Sequence, residues 1–246
     1  MKNKKLIAIA AVIVIVISGA VYYVYDGLTG NHVEIESVIA QSPPESTAEE
    51  SGEIDGESTT TEPETQGTAD AGEAAEVDGE WNISSESKVY FSVTTSRDTV
   101  NYALDKVTGT WNLNSKDAAE TKAEAMVEVT SMDSGNSQRD KHISEAAYLD
   151  TTQFPTAAFT ANSFTGLPSE WKTDEVYNIS MTGDLTVKGI TKEVAFTGQA
   201  AYVQGLLKLE ANTVVTFDDF GMTNPHTVVM DTENNLTVEL RLSLSK

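Results

Sequence analysis

A period-two alternation of apolar and polar residues runs through the C-terminal two thirds of the chain, and it restricts the fold more than any other feature. Its cleanest stretch puts Leu236, Val238, Leu240, Leu242 and Leu244 on one side and Thr237, Glu239, Arg241 and Ser243 on the other. In an extended chain successive side chains point to opposite faces, so such a run is a strand with one buried and one wet face. The pattern recurs with Val89, Phe91 and Val93 against Tyr90 and Ser92, and with Ala123, Ala125, Val127 and Val129 against Lys122, Glu124 and Glu128. Ile179, Met181, Leu185 and Val187 alternate with Asn178, Ser180, Thr182, Asp184 and Thr186. Val194, Phe196 and Tyr202 share a face, as do Leu207, Leu209, Val215 and Phe217. Thr108-Gly109, Gly166-Leu167-Pro168, Lys188-Gly189 and Gln204-Gly205 read as turns. About eight such strands, joined by short turns, suggest an antiparallel sheet curled into a barrel or sandwich. A closed barrel of that number either fills with side chains or holds one small ligand.

Only residues 136–149 break the alternation. Asn136 or Ser137 can cap a short helix there, with Asp140 in its first turn, where a negative charge suits the helix dipole. Ile143, Ala146, Ala147 and Leu149 would form its apolar side. A helical crossover leaving a barrel covers one mouth or packs on the outer wall.

The N-terminus is of another kind. Lys2, Lys4 and Lys5 precede an apolar run from Leu6 to Tyr25, with no charge before Asp26. As a helix rising 1.5 Å per residue the run is about 30 Å long, the thickness of a bilayer core. The lysines mark the cytoplasmic side, and Tyr22, Tyr23 and Tyr25 fall where an interfacial aromatic belt lies. Residues 1–26 therefore read as a single-pass anchor. The competing reading is a signal peptide cleaved at Ser18-Gly19-Ala20, but the apolar run continues past that site. Either reading exports the remainder.

Residues 27–78 contain Pro43-Pro44, Ser58-Thr59-Thr60-Thr61, many glutamates and no Lys or Arg. Such a segment buries too little apolar surface to offset the entropy of ordering, so a disordered, self-repelling acidic linker is expected. Within it residues 28–39 (Leu28, Val33, Ile35, Val38, Ile39) are more apolar and pack either on the membrane or on the domain. The net charge of −22 argues against nucleic acid as partner, because phosphate binding needs clustered Lys and Arg. The absence of cysteine excludes disulfides, thiolate nucleophiles and thiolate metal sites.

Several pieces of residues 79–246, in order, resemble the YceI-like, lipocalin-shaped family of exported polyisoprenoid-binding proteins. Trp81-Asn82-Ile83 through Ser87-Lys88-Val89-Tyr90-Phe91-Ser92-Val93 is similar to the family's first strands, and Val107-Thr108-Gly109-Thr110-Trp111 to the strand after them. Ser131 to Ile143, with its Arg139-Asp140-Lys141-His142, resembles an S-i-d-T-g-n-x-x-R-D-x-h-l segment, followed by Phe154-Pro155-Thr156-Ala157. Leu185-Thr186-Val187-Lys188-Gly189-Ile190-Thr191-Lys192 and Asp219-Phe220-Gly221 match two later motifs. Two departures stand out. Ser84-Ser85-Glu86-Ser87 replaces a D-P-x-H-S turn, and Thr216-Phe217-Asp218 stands where an Arg often precedes Asp-Phe-Gly. The anchor and acidic linker resemble a tethered subset of the family. The resemblance implies an eight-stranded antiparallel barrel with one short helical crossover.

From the residues alone, a lumen that buries an isoprenoid or acyl chain and a filled core stand even; the resemblance favours the ligand. The expected apolar contacts are Phe91, Val127, Phe154, Phe159, Met181, Leu185, Phe196, Leu209, Phe217 and Phe220. Arg139, Asp140 and His142 form the sharpest polar cluster. They either meet a polar or phosphate head at the mouth or serve structure, Asp140 capping a turn and Arg139 pairing with a carboxylate such as Asp150. Lys188-Gly189 and Asp219-Phe220-Gly221 read as turns, the latter plugging the barrel end with its Phe. The histidines are His32, His142 and His226, no hydrolase, P-loop or dinucleotide motif occurs, and no ligand spacing announces a metal. Asp218 and Asp219, adjacent on a strand, would face opposite ways and form no acid–base couple. The expectation is a membrane-tethered, extracytoplasmic, non-enzymatic carrier of a polyisoprenoid, quinone or similar amphiphile, without cofactor or metal. The alternative is a surface or stress-response interaction module with a filled core.

Overall fold

The computed structural model describes residues 30–39, 72–225 and 231–246. The expected anchor and His226 lie outside the described residues. Among those described, no helix is long and apolar enough to cross a membrane.

After a short strand β1 (Ala74–Ala75), the chain builds eight long staves. β2 (Gly79–Ile83) and β3 (Lys88–Thr95) are halves of one stave, and β4 (Thr99–Leu104) with β5 (Val107–Leu113) make the next. β6 (Lys122–Glu128) and β7 (Thr156–Thr165) follow, separated by helix α1 (Ser137–Ile143). A two-residue strand β8 (Trp171–Lys172) precedes β9 (Val176–Val187), β10 (Ile190–Val203), β11 (Leu206–Thr216) and β12 (Thr232–Ser245). Neighbouring staves pair antiparallel in chain order, except that β8 pairs with β1 instead of joining the wall. β12 closes the ring, pairing with β11 from Leu207↔Leu244 to Thr216↔Asn235 and with β3 and β2 on its other edge. No edge is left along the closed wall, which removes the template for strand addition.

The break between β2 and β3 falls at Ser84-Ser85-Glu86-Ser87. Ser87 is buried there, and its hydroxyl accepts from Ser243 N and lies 3.1 Å from Ser243 O, replacing ladder bonds lost at the interruption. Lys188 (φ 51) and Gly189 (φ 73) both take the left-handed region between β9 and β10, the two-residue turn whose twist matches the strands it joins. Thr108-Gly109, expected as a turn, instead lies inside β5. Gly109 faces Ala125, and a Cβ there would sit 2.1 Å from Glu124 O, so the glycine permits close approach of two strands.

The alternation assigns faces correctly along the strands that showed it, but one wall departs from the expected exposure. Tyr90 and Ser92 point outward and were expected wet, yet they are only 1% and 7% exposed. Residues 30–39 account for this. They run along the outside of the barrel, so of the two places open to that segment, membrane or domain, it occupies the domain. Asn31 accepts from Asn101 N (3.1 Å) and donates its own N–H to Asp98, Asn101 Nδ2 donates to Val33 O (2.9 Å), and the N–H groups of Val38 and Ile39 both donate to Glu210 Oε1 at 2.6 Å. Asn101 and Glu210 stand on β4 and β11, with β3 and β12 between them, so the segment crosses the outward face that carries Tyr90 and Ser92.

Candidate functional site

The barrel interior differs from end to end. At the end holding the β10–β11 turn, all three tryptophans of the chain are buried. Trp81 packs edge-on to Tyr202, Trp111 to Phe164 and Trp171 to Tyr177, with centroids 6.1, 5.5 and 5.1 Å apart. The β1–β8 ribbon that carries Trp171 belongs to this end. Here the core is filled.

At the other end the walls enclose a cavity of about 120 Å³. Its floor lies near the edge-on contact of Phe159 and Phe196, 5.1 Å between centroids. Its walls are Val89, Phe91, Val93, Leu104, Val107, Ala125, Val127, Ala157, Leu185, Val187, Val215, Leu236, Val238 and Leu240. Apolar voids of roughly this size, about 150 Å³, stay dry and accept a benzene-sized hydrocarbon. The lumen therefore suits a stretch of hydrocarbon chain and has no partner for a buried charge along its walls.

The crossover from β6 to β7 forms its roof. It begins with Val129 N donating to Pro155 O and with Ala103 and Asp133 exchanging backbone bonds at 2.9 Å. Asn136 caps α1 by accepting from the amides of Gln138 and Arg139, and the Asp140 carboxylate accepts from Ser134 N at 3.0 Å. Ile143 on α1, then Tyr148 and Leu149, reach down into the cavity. The helix stops at Ile143, and Ala146 and Ala147 are exposed, so they are not the apolar side expected of them. Their carbonyls instead hold the roof down: Lys188 Nζ donates to Ala146 O (2.9 Å) and Gly221 O (3.3 Å), and Thr223 N donates to Ala147 O.

A second piece of roof is the 3-10 turn Asp218–Phe220, which carries buried Phe220 into the cavity before Gly221 takes φ 59. Asp219-Phe220-Gly221 thus forms the expected turn, with Phe220 at the barrel end, and Asp218 opens that turn, so the two carboxylates do not alternate across a strand. Their carboxylates are taken separately, Asp218 by Asn234 Nδ2 and Asp219 by Thr216 N and Oγ1. The Thr216 donors hold the Asp219 carboxyl below its ordinary value.

Of the candidate ligand contacts, Phe91, Val127, Phe159, Leu185, Phe196, Phe217 and Phe220 come together on the cavity wall. Met181 and Leu209 point inward but lie below the floor, in the filled half. Phe154 lies beside the β9–β10 turn, where a Cβ on Gly189 would meet its ring at 2.8 Å. His142 is on the outer side of the roof, half exposed, 3.7 Å from Glu145 and edge-on to Tyr148. Arg139 does not pair with Asp150; its Nη2 donates to Gly30 O at 3.0 Å, while Nε and Nη1 are buried without a hydrogen-bond partner.

Tyr102 completes the interior and was missing from the sequence-based set. It is buried, stacks on Phe91 at 4.4 Å, and lies close enough to Arg139 and Asp140 to feel their charges. Burial pushes its hydroxyl well above the ordinary value; the Arg139 charge opposes this and Asp140 adds to it. Tyr102 stays neutral. Its alternation with Val100 and Leu104 was the signal that could have found it. No group of three or more His, Asp or Glu side chains that could hold a metal occurs among the described residues.

A small closed antiparallel barrel, packed at one end and hollow and apolar under a roof at the other, is a binding-protein fold. The chain belongs to the family of the YceI-like domain, whose model matches residues 81–244. It is 36% identical to Protein YceI of Shigella flexneri over 86 residues, 35% of this chain and 41% of that protein. The chain thus spans about two fifths of the length of such curated relatives. It is 28% identical to a UPF0312 protein of Pseudomonas putida over 137 residues, 53% of this chain and 68% of that one. Among solved structures it resembles Burkholderia cenocepacia BcnA (TM-score 0.55, 18% identity, 64% of this chain and 95% of that one). It also resembles a polyisoprenoid binding domain from Saccharophagus degradans implicated in plant cell wall breakdown (TM-score 0.54, 10% identity, 67% and 97%). At these identities the structural likeness speaks for the fold.

Proposed function

We propose that the chain is a membrane-tethered, extracytoplasmic carrier of a polyisoprenoid or similar amphiphile, a prenyl lipid or quinone. The observation that carries this reading is the apolar cavity under the roof, because a purely structural barrel has no reason to leave one end hollow. Burying hydrocarbon there is favourable by about 25 cal/mol per Å². A cavity of about 120 Å³ takes a few carbons of a long chain, so the rest of such a ligand lies beyond the roof or widens the lumen. Family membership and the likeness to a polyisoprenoid binding domain agree with this reading. The Leu6–Tyr25 run behind Lys2, Lys4 and Lys5 supports tethering, with the barrel on the outer side.

The test is native mass spectrometry of the chain purified from a bacterial host without lipid stripping. We expect a stoichiometric adduct that extracts as an isoprenoid or quinone. A bare mass, unchanged after incubation with prenyl lipids, would sink the carrier reading and leave an interaction module.

A further inference from the structure

The strap formed by residues 30–39 fixes which end of the barrel lies nearest the N-terminal segment. Its first residue sits at the roofed end: Gly30 O accepts from Arg139 on α1, and Asn31 bonds Asp98 and Asn101 at the β3–β4 turn. From there the strap descends the wall to Glu210, where Ile39 is buried. Only residues 26–29 separate Gly30 from the end of the apolar run at Tyr25. At about 3.5 Å per residue that link reaches at most roughly 18 Å. β12 has 14 residues, and at about 3.3 Å each with a tilt near 40° the barrel is roughly 35 Å tall. The link is too short to bring the filled end to a bilayer as closely as the roofed end.

We infer that the strap docks the barrel with its roofed cavity end toward the bilayer, so that the lumen opens onto the lipid surface. This rests on the membrane-tethered reading proposed above. The acidic stretch is then not the spacer between membrane and barrel. Its described flanks are Ile39, bonded to Glu210 on the wall, and Gly72, beside Thr173 at the filled end. The ligand-binding end stays within a few residues' reach of the membrane however long that stretch is.

The chain has no cysteine, so single dyes can be placed cleanly. Full-length chains carrying Lys141→Cys at the roofed end or Lys116→Cys at the filled end, both exposed positions, are labelled with a donor. They are reconstituted into phosphatidylcholine vesicles containing a headgroup-labelled acceptor lipid. Energy transfer should be at least twofold more efficient from position 141 than from 116. Asn31→Ala combined with Val38→Pro and Ile39→Pro removes strap contacts without altering a barrel residue, and should bring the ratio close to one. Equal or inverted transfer, or a ratio that ignores the strap changes, in chains that float with the vesicles would overturn the docking alone. Failure to float would take down the tether and the docking together.

Discussion

Below the Phe159–Phe196 contact the inward side chains include Trp81, Trp111, Phe164, Met181, Leu209 and Leu242; above it no tryptophan occurs among the lining residues and valine is the most frequent, with Val89, Val93, Val107, Val127, Val187 and Val215 among them. The same staves, with the same alternation and hydrogen-bond ladder, supply both sets. Strand geometry therefore does not make the cavity. Side-chain volume does, with the three tryptophans helping to close one end of the ring and smaller valines and alanines leaving room at the other. The filled half should then carry more of the stability than the hollow half.

The largest expected effect comes from emptying the filled half. Trp81→Ala removes a fully buried indole whose Nε1 donates to Val77 O at 2.7 Å, and should cost about 3–5 kcal/mol of unfolding free energy. Val187→Ala, on the wall of the existing void and only half buried, should cost about 1 kcal/mol or less. Urea midpoints of the two variants check this. Equal losses would mean that the two halves contribute alike and that the cavity is not a real relaxation of packing.

The same strand allows a sharper comparison in the opposite direction. Ala211 and Val215 both point inward from β11, one into the packed floor and the other into the cavity. Ala211→Phe overpacks a site without space and should destabilise by about 1–3 kcal/mol. Val215→Phe fills space that is already there, so its unfolding free energy should stay within about 1 kcal/mol while lipid uptake falls at least tenfold. Thermal unfolding alongside adduct formation in the mass spectrometer separates the two. If Val215→Phe keeps its lipid, the ligand does not occupy this cavity.

These contrasts also mark where the sequence was readable. Leu236 through Leu244 declared a strand and its inward face directly, because period two is a property of the backbone. Depth along the barrel was not declared. Met181 and Leu185 share a face and differ only in height, so both looked like lining residues, yet only Leu185 reaches the cavity. The outer wall was hidden for another reason: Tyr90 and Ser92 are buried by a segment from the far N-terminus, and nothing near them in sequence announces that cover. Arg139 is similar, since its partner Gly30 is remote in the chain and is a backbone carbonyl that no residue type advertises. Local periodicity was legible; contacts set by long-range packing were not.

The smallest expected effect concerns acid. Each end has one carboxylate held below its ordinary value by donors: Asp78 by Ser115 N–H at the filled end, and Asp219 by Thr216 at the roofed end. A carboxyl with a lowered folded pKa binds its proton less readily than in the unfolded chain, where the value is about 3.9 for Asp. Its stabilising contribution is therefore complete above that value and is lost as pH falls through the folded pKa. Asp219 is partly exposed, so solvent screening limits its share to below about 1 kcal/mol. Because Asp219 anchors the turn that carries Phe220 into the cavity, acid should loosen the roof locally, lowering amide protection at Met222, whose N–H donates to Phe217 O. Asp219→Asn should remove that acid dependence at Met222 while leaving the response at Ser115 in place. If both amides changed together in the variant, the ends would be opening as one unit, and the division between a stable filled half and a yielding hollow half would fail.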